Sequence, residues 1–226
     1  MFYQDPEFGS RMIMLMATAM LVLQFLMVGQ KLLKTNVRLF AIQSFFLTGI
    51  AGTIAYFHHA PHIYIAAGMT LVLKVIVVPW FLQRMIDRIQ IHHEVEPFIN
   101  TPLSLLIGSG LTLVGYLVVQ PFRSAADSPV SESLHKTLAV AIAIMLIGFY
   151  LMINRRKALS QVLALLTMEN GLFLTAISLT YGMPLVVELG IFFDVFVAVI
   201  VFGILVYRIR ETFDSMDVSK LSDLKG

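Results

Sequence analysis

The sequence predicts an all-α fold, a polytopic membrane helix bundle of about seven transmembrane helices, and three observations predict it. Hydrophobic types make up 58% of the 226 residues and charged types only 13%, with a mean hydropathy of +0.84; an ordinary soluble domain carries about twice that share of charge. Apolar runs long enough to cross a hydrocarbon core of about 30 Å recur along the whole chain. The charged residues fall mostly between those runs. Within lipid each segment must satisfy its own backbone polar groups, so such runs fold as helices.

In chain order the spans are expected at about 11–30, 38–57, 63–83, 101–120, 137–154, 160–181 and 185–207. The first follows "MFYQDPEFGS", which lacks the basic start of a secretory signal, and is read as a retained helix. Basic residues punctuate the spans unevenly. Lys31, Lys34 and Arg38 follow the first, Arg84 and Arg88 the third, Arg155, Arg156 and Lys157 the fifth, and Arg208, Arg210, Lys220 and Lys225 the seventh. The other side holds Arg11, Arg123 and Lys136. The positive-inside rule then places the N-terminus outside and the C-terminus in the cytoplasm.

The chain reads as a single membrane domain over 1–226, with helices 1–4 in 1–120 and helices 5–7 and a tail in 137–226. Its longest polar connections are Gln83–Thr101 and Gln120–Lys136, the second expected as an external loop. A faint echo links the halves: "AIQSFFLTG" at Ala41–Gly49 and "MENGLFLTA" at Met168–Ala176 each follow a basic loop, as two parallel repeats would.

Three ionisable residues fall near the middle of their spans: Lys74 in "LVLKVIVVPW", Glu169 in "LTMENG" and Asp194 in "GIFFDVFVAV". A charge at the bilayer centre costs roughly 3 kcal/mol on insertion scales, so these side chains are expected to face protein or water. Two carboxylates and a lysine at matched depth are the parts of a proton or ion path; singly, each is equally well explained as interhelical glue. Glu188, nearer the outer end of the last span, is an outer station or an exposed helix-end acid. Asn170, Thr167, Gln43 and Gln161 extend the set of hydrogen-bonding groups, and Pro79 is expected to kink the third span beside Lys74.

Other chemistries are poorly served. With no cysteine the chain offers no thiolate to an iron–sulfur or nickel–iron centre. His58, His59, His62, His92, His93 and His135 lie in loops or at span ends, so no pair within a span grips a haem, and "HHEVE" lacks the i, i+4 spacing of a helical zinc site. No cofactor, no metal and no nucleic acid are expected for this chain, and no catalytic site.

Several stretches carry a resemblance. "RRKALSQVLALLTMENGLFLTAIS", the acid in "FFDVFVAVIVFGILVYRIR", the tail "DVSKLSDLKG", and "LVLKVIVVP" and "FAIQS" in the front half resemble the hydrogenase-4 component E family over essentially the whole chain. From about Leu138 the chain is also similar to the three-helix K subunit of respiratory complex I. In that smaller family two glutamates on successive helices belong to a proton pathway; the first matches Glu169, and the second falls at or near Asp194, a shorter acid. The resemblance implies a non-catalytic subunit of a group 4 hydrogenase or formate hydrogenlyase-like complex in a prokaryotic cytoplasmic membrane. Its partners would be antiporter-like and other membrane subunits, and metal centres would belong to partner chains. Lys74 has no counterpart in the three-helix pattern. A structural scaffold and an autonomous cation transporter stand as the alternative readings.

Overall fold

The structure, a computed structural model, describes residues 6–57, 61–89, 97–121 and 129–180. These form α1 (Pro6–Gly29), α2 (Leu33–Phe57), α3 (Pro61–Thr70), a π-helical segment (Leu71–Val77), α4 (Val78–Ile89), α5 (Thr101–Val119), α6 (Pro129–Asn154) and α7 (Ala158–Thr180). The segments α3, π and α4 run on without a break as one rod. Among the described residues six stretches are long and apolar enough to cross a membrane: Phe8–Gly29, Leu33–Phe57, Ile63–Asp87, Thr101–Val119, His135–Asn154 and Ala158–Ser178. There is no strand among the described residues. The expected span 185–207, with Glu188 and Asp194, lies outside them.

Helices extend further than hydropathy alone suggests. The third rod continues to Ile89 rather than ending near Gln83, because α4 is amphipathic: Val78, Leu82, Met85 and Ile86 are buried on one stripe while Trp80, Arg84 and Asp87 stay exposed. Likewise α6 begins at Pro129, inside the connection expected as a loop. Proline suits a first helical position, where its missing N–H is not needed.

Four helices, α1, α2, α7 and α6, pack in a square, each against the next. The rod of α3, π and α4 flanks α2, and α5 flanks α6 and α1. The tightest pair is α6 with α7, and glycine makes it so. A Cβ on Gly148 would stand 2.7 Å from Met168 Cα, and one on Gly171 2.6 Å from the Met145 nitrogen. Small residues of this kind let two backbones approach in the absence of a hydrophobic drive between helices in lipid.

One face of the bundle gathers the C-terminal ends of α1, α4 and α6 and the N-terminal ends of α2, α5 and α7, and it carries Lys31, Lys34, Arg84, Arg155, Arg156 and Lys157. Buried Arg155 donates from Nη2 to the carbonyls of Met27 (2.9 Å) and Gln30 (3.3 Å), closing the C-terminal turn of α1 with a cation. Desolvation there lowers its pKa below the ordinary arginine value. Arg155→Ala takes this donor from the Met27 carbonyl and leaves Asn36 Nδ2, at 3.2 Å, as the side-chain donor to that of Gln30, where the α6–α7 connection meets the end of α1. A loss of about 2 kcal/mol is expected on unfolding in mild detergent, with Arg155→Lys recovering part of it.

Candidate functional site

The buried apolar residues separate into two main clusters stacked along the helix axes. Nearer the basic face lie Met27 of α1, Phe40 of α2, Val78 and Leu82 of α4 and Leu166 of α7. Nearer the opposite face lie Met20, Leu47, Ala67, Phe173 and their neighbours. On every helix concerned, the gap between the clusters is filled by polar residues. Gln24 falls between Met20 and Met27, Gln43 and Ser44 between Phe40 and Leu47, Lys74 between Ala67 and Val78, and Glu169 and Asn170 between Leu166 and Phe173. The result is a polar layer with an apolar layer on either side.

At its centre, Lys74 Nζ lies 3.4 Å from Glu169 Oε2 and donates to Asn170 Oδ1 at 3.3 Å. Lys74 is 3% exposed and Glu169 1%, so water does little to screen this ion pair. The Asn170 amide donates onward to Gln43 Oε1 (3.2 Å) and Ser44 Oγ (3.0 Å). Gln43 Nε2 donates in turn to Gln24 Oε1 (2.8 Å) and to the Met20 carbonyl (3.2 Å). Gln24 Nε2 reaches Thr167 Oγ1 at 3.5 Å, and that hydroxyl ends the chain on the Ala164 carbonyl at 2.8 Å. Four helical segments are thereby joined, and donors point one way throughout, from the lysine to a backbone carbonyl.

Two local features deliver the charged pair. Lys74 belongs to the buried stripe Ile63, Ala67, Thr70, Lys74, Val78, Leu82. Three successive steps of four residues would drift by about 40° each in an α-helix of 3.6 residues per turn. The wider π turns absorb that drift and keep Lys74 aimed inward, and it is the one buried residue of Leu71–Val77. The Val78 N–H bonds to the Leu73 carbonyl, five residues back, and Pro79 adds no donor beside it. Where a kink was expected at Pro79, the structure shows a π segment that ends two residues before it. On the other side, Gly171 and the facing Gly148 seat α7 against α6 and fix where Glu169 and Asn170 project.

Of the residues singled out in the sequence, Lys74, Glu169, Asn170, Gln43 and Thr167 meet in this layer. Gln161 does not: it donates to the Arg155 carbonyl at 2.8 Å, at the basic face. Asp194 and Glu188 lie outside the described residues. The sequence reading missed Gln24, Ser44 and the glycine pair. Gln24 carried a usable signal, a lone amide within "AMLVLQFLMVG". The echo between the halves aligns Gln43 with Asn170, which bond to each other. It also aligns Thr48 with Thr175, which each donate to the carbonyl four residues back, at 3.0 and 2.9 Å. Among the described residues no group of three or more His, Asp or Glu gathers as a metal site would.

Residues 136–226 match the NADH-ubiquinone/plastoquinone oxidoreductase chain 4L family. The chain is similar to Uncharacterized protein Rv0085 of Mycobacterium tuberculosis, 38% identical over 163 residues, which is 71% of this chain and 72% of that protein. It is similar to hydrogenase-4 component E of Escherichia coli K12, 28% identical over 218 residues, which is 96% of this chain and 99% of that protein, and in the same measure to hydrogenase-4 component E of Shigella flexneri. No solved structure matches it. The chain belongs to one family with Rv0085, and its similarity to hydrogenase-4 component E runs over nearly its whole length, with the chain 4L match covering the segment that holds Glu169 and six helices among the described residues fit to span a membrane.

Proposed function

We propose that this chain is a non-catalytic membrane subunit of a complex I-related assembly of the group 4 hydrogenase or formate hydrogenlyase type, and that Lys74 and Glu169 form one station of its proton path. The supporting observation is the buried ion pair held between two apolar layers. Those layers interrupt any polar route from the pair to either face within the described helices, so protons reach and leave it along the membrane plane. The next stations are Asp194, with Glu188 as an outer one, and titratable side chains of antiporter-like partner subunits. Amides do not readily carry protons, so Asn170, Gln43 and Gln24 orient the pair and the proton passes between Lys74 and Glu169 themselves. The setting is a prokaryotic cytoplasmic membrane crossed seven times, with the basic face in the cytoplasm, as the basic residues favour. Metal and electron chemistry belong to partner subunits, whose charge changes bias the protonation of Glu169.

Glu169→Gln tests this in the assembled complex. It keeps shape and hydrogen bonding and removes titration. Redox-driven proton movement in inverted membrane vesicles is expected to fall to about a tenth or less while the subunits still purify together. The scaffold reading draws support from α5, whose Leu103, Leu106, Leu113 and Leu117 are exposed and free to meet lipid or a partner. It predicts instead unchanged proton movement in every complex that assembles.

A further inference from the structure

Building on the reading of this layer as part of an ion path, we propose that Lys74 decides which ion the path carries. Its ammonium fills the position that a monovalent metal cation would take among the oxygens of Glu169 and Asn170, so the station accepts protons and excludes Na⁺.

The donor set is one that a hard cation favours: a carboxylate, an amide carbonyl and, just beyond, further amide and hydroxyl oxygens. Nζ already occupies it, 3.4 Å from Glu169 Oε2 and 3.3 Å from Asn170 Oδ1. Gln43 Oε1 and Ser44 Oγ stand behind, bonded to the Asn170 amide. A metal ion needs several of these oxygens at once, and the tethered ammonium holds the two that matter most. Charge works the same way. Lysine and glutamate together are neutral, and among the described residues the one other buried charge, Arg155, lies at the basic face. Adding Na⁺ would leave an uncompensated positive charge between two apolar layers, where burying an ion is heavily penalised.

A proton escapes both obstacles. An N–H bond of the Lys74 ammonium breaks, its electron pair stays on nitrogen, and an O–H bond forms on Glu169, giving amine and carboxylic acid. The transfer leaves the pair neutral, as does its reset when a proton leaves the acid as another reaches the amine, and no coordination space is needed.

The test uses the purified full-length chain in mild detergent, compared in sodium chloride and choline chloride at matched pH and ionic strength. The parent, Lys74→Met, Lys74→Gln, and each Lys74 variant combined with Glu169→Gln are followed by unfolding midpoint and by binding of radioactive Na⁺. The parent is expected to show no saturable response to Na⁺. Both Lys74 variants are expected to gain one, their midpoints rising by about 4 °C per tenfold increase in Na⁺ above half-saturation. The response disappears with Glu169→Gln. Lys74 variants that fold only when prepared in Na⁺ would support the proposal equally. Saturable Na⁺ binding by the parent that Glu169→Gln removes overturns it. So do Lys74 variants that ignore Na⁺, or that fail to fold in either salt, since Na⁺ then cannot stand in for the ammonium. A complex that pumps with Glu169→Gln sinks the path itself, whereas these binding results bear on selectivity alone.

Discussion

Lys74→Met, measured without Na⁺, is expected to lose about 3–5 kcal/mol of stability, and adding Glu169→Gln to it to restore most of that loss. The first change leaves a carboxylate among Asn170, Gln43 and two apolar layers with its compensating charge gone. The second removes the stranded charge and leaves an amide able to join the hydrogen bonds already there. A double-mutant cycle over the two positions should give a coupling of at least about 3 kcal/mol, at or above the upper end for residues in one network, because Glu169→Gln alone strands the buried lysine. The same chain supplies the control. Lys34 pairs with Asp87 in the same chemistry, but their side chains are 38% and 60% exposed. Such a pair contributes at most about 1 kcal/mol, so Lys34→Met should shift the unfolding midpoint little. If the two lysines proved equivalent, burial of the central pair would not have the consequence assigned to it.

How much of this was legible beforehand depended on whether the signal ran along one helix or across several. Lys74 and Glu169 each interrupt an apolar run, and the cost of charge in hydrocarbon is enough to mark them and to match their depth. Gln43, Thr167 and Asn170 were visible for the same reason. That Lys74 meets Glu169 could not be read, because helix order along a chain does not decide which helices adjoin, and these residues come from the third span and the sixth. Gln24 was passed over since one amide in an apolar run is cheap to place at many depths; it matters because Gln43 faces it. The π turn escaped because Pro79 announces a disturbed helix but not its form. Residues 84–89 and 129–134 were read as connection because hydropathy falls there, although helices continue past the lipid wherever an amphipathic stripe or a proline start supports them.

Gly148→Ala and Gly171→Ala should each disturb the bundle out of proportion to one added methyl group. A Cβ on Gly148 would stand 2.7 Å from both the nitrogen and Cα of Met168, and one on Gly171 2.6 Å from the nitrogen of Met145 and 3.0 Å from the Ala141 carbonyl. These neighbours are backbone, so no side chain can turn aside and the helices themselves must separate. Overpacking of this kind costs about 1–3 kcal/mol in soluble cores. The upper value is expected here, because α6 and α7 lose contacts along their whole length when they part. Once parted, they accommodate the second methyl at little further expense, so the double variant should be only slightly less stable than the worse single one, well short of additivity. Gly29 is the control, with open space where its Cβ would stand. The displacement also reaches the polar layer. Gly171 directly follows Glu169 and Asn170, and moving α7 breaks the spacing to Lys74 and Gln43, so Gly171→Ala should uncouple Lys74 from Glu169 in the double-mutant cycle even in protein that folds. Undiminished coupling in that background would mean that the ion pair, and not the glycine contact, sets the position of α7.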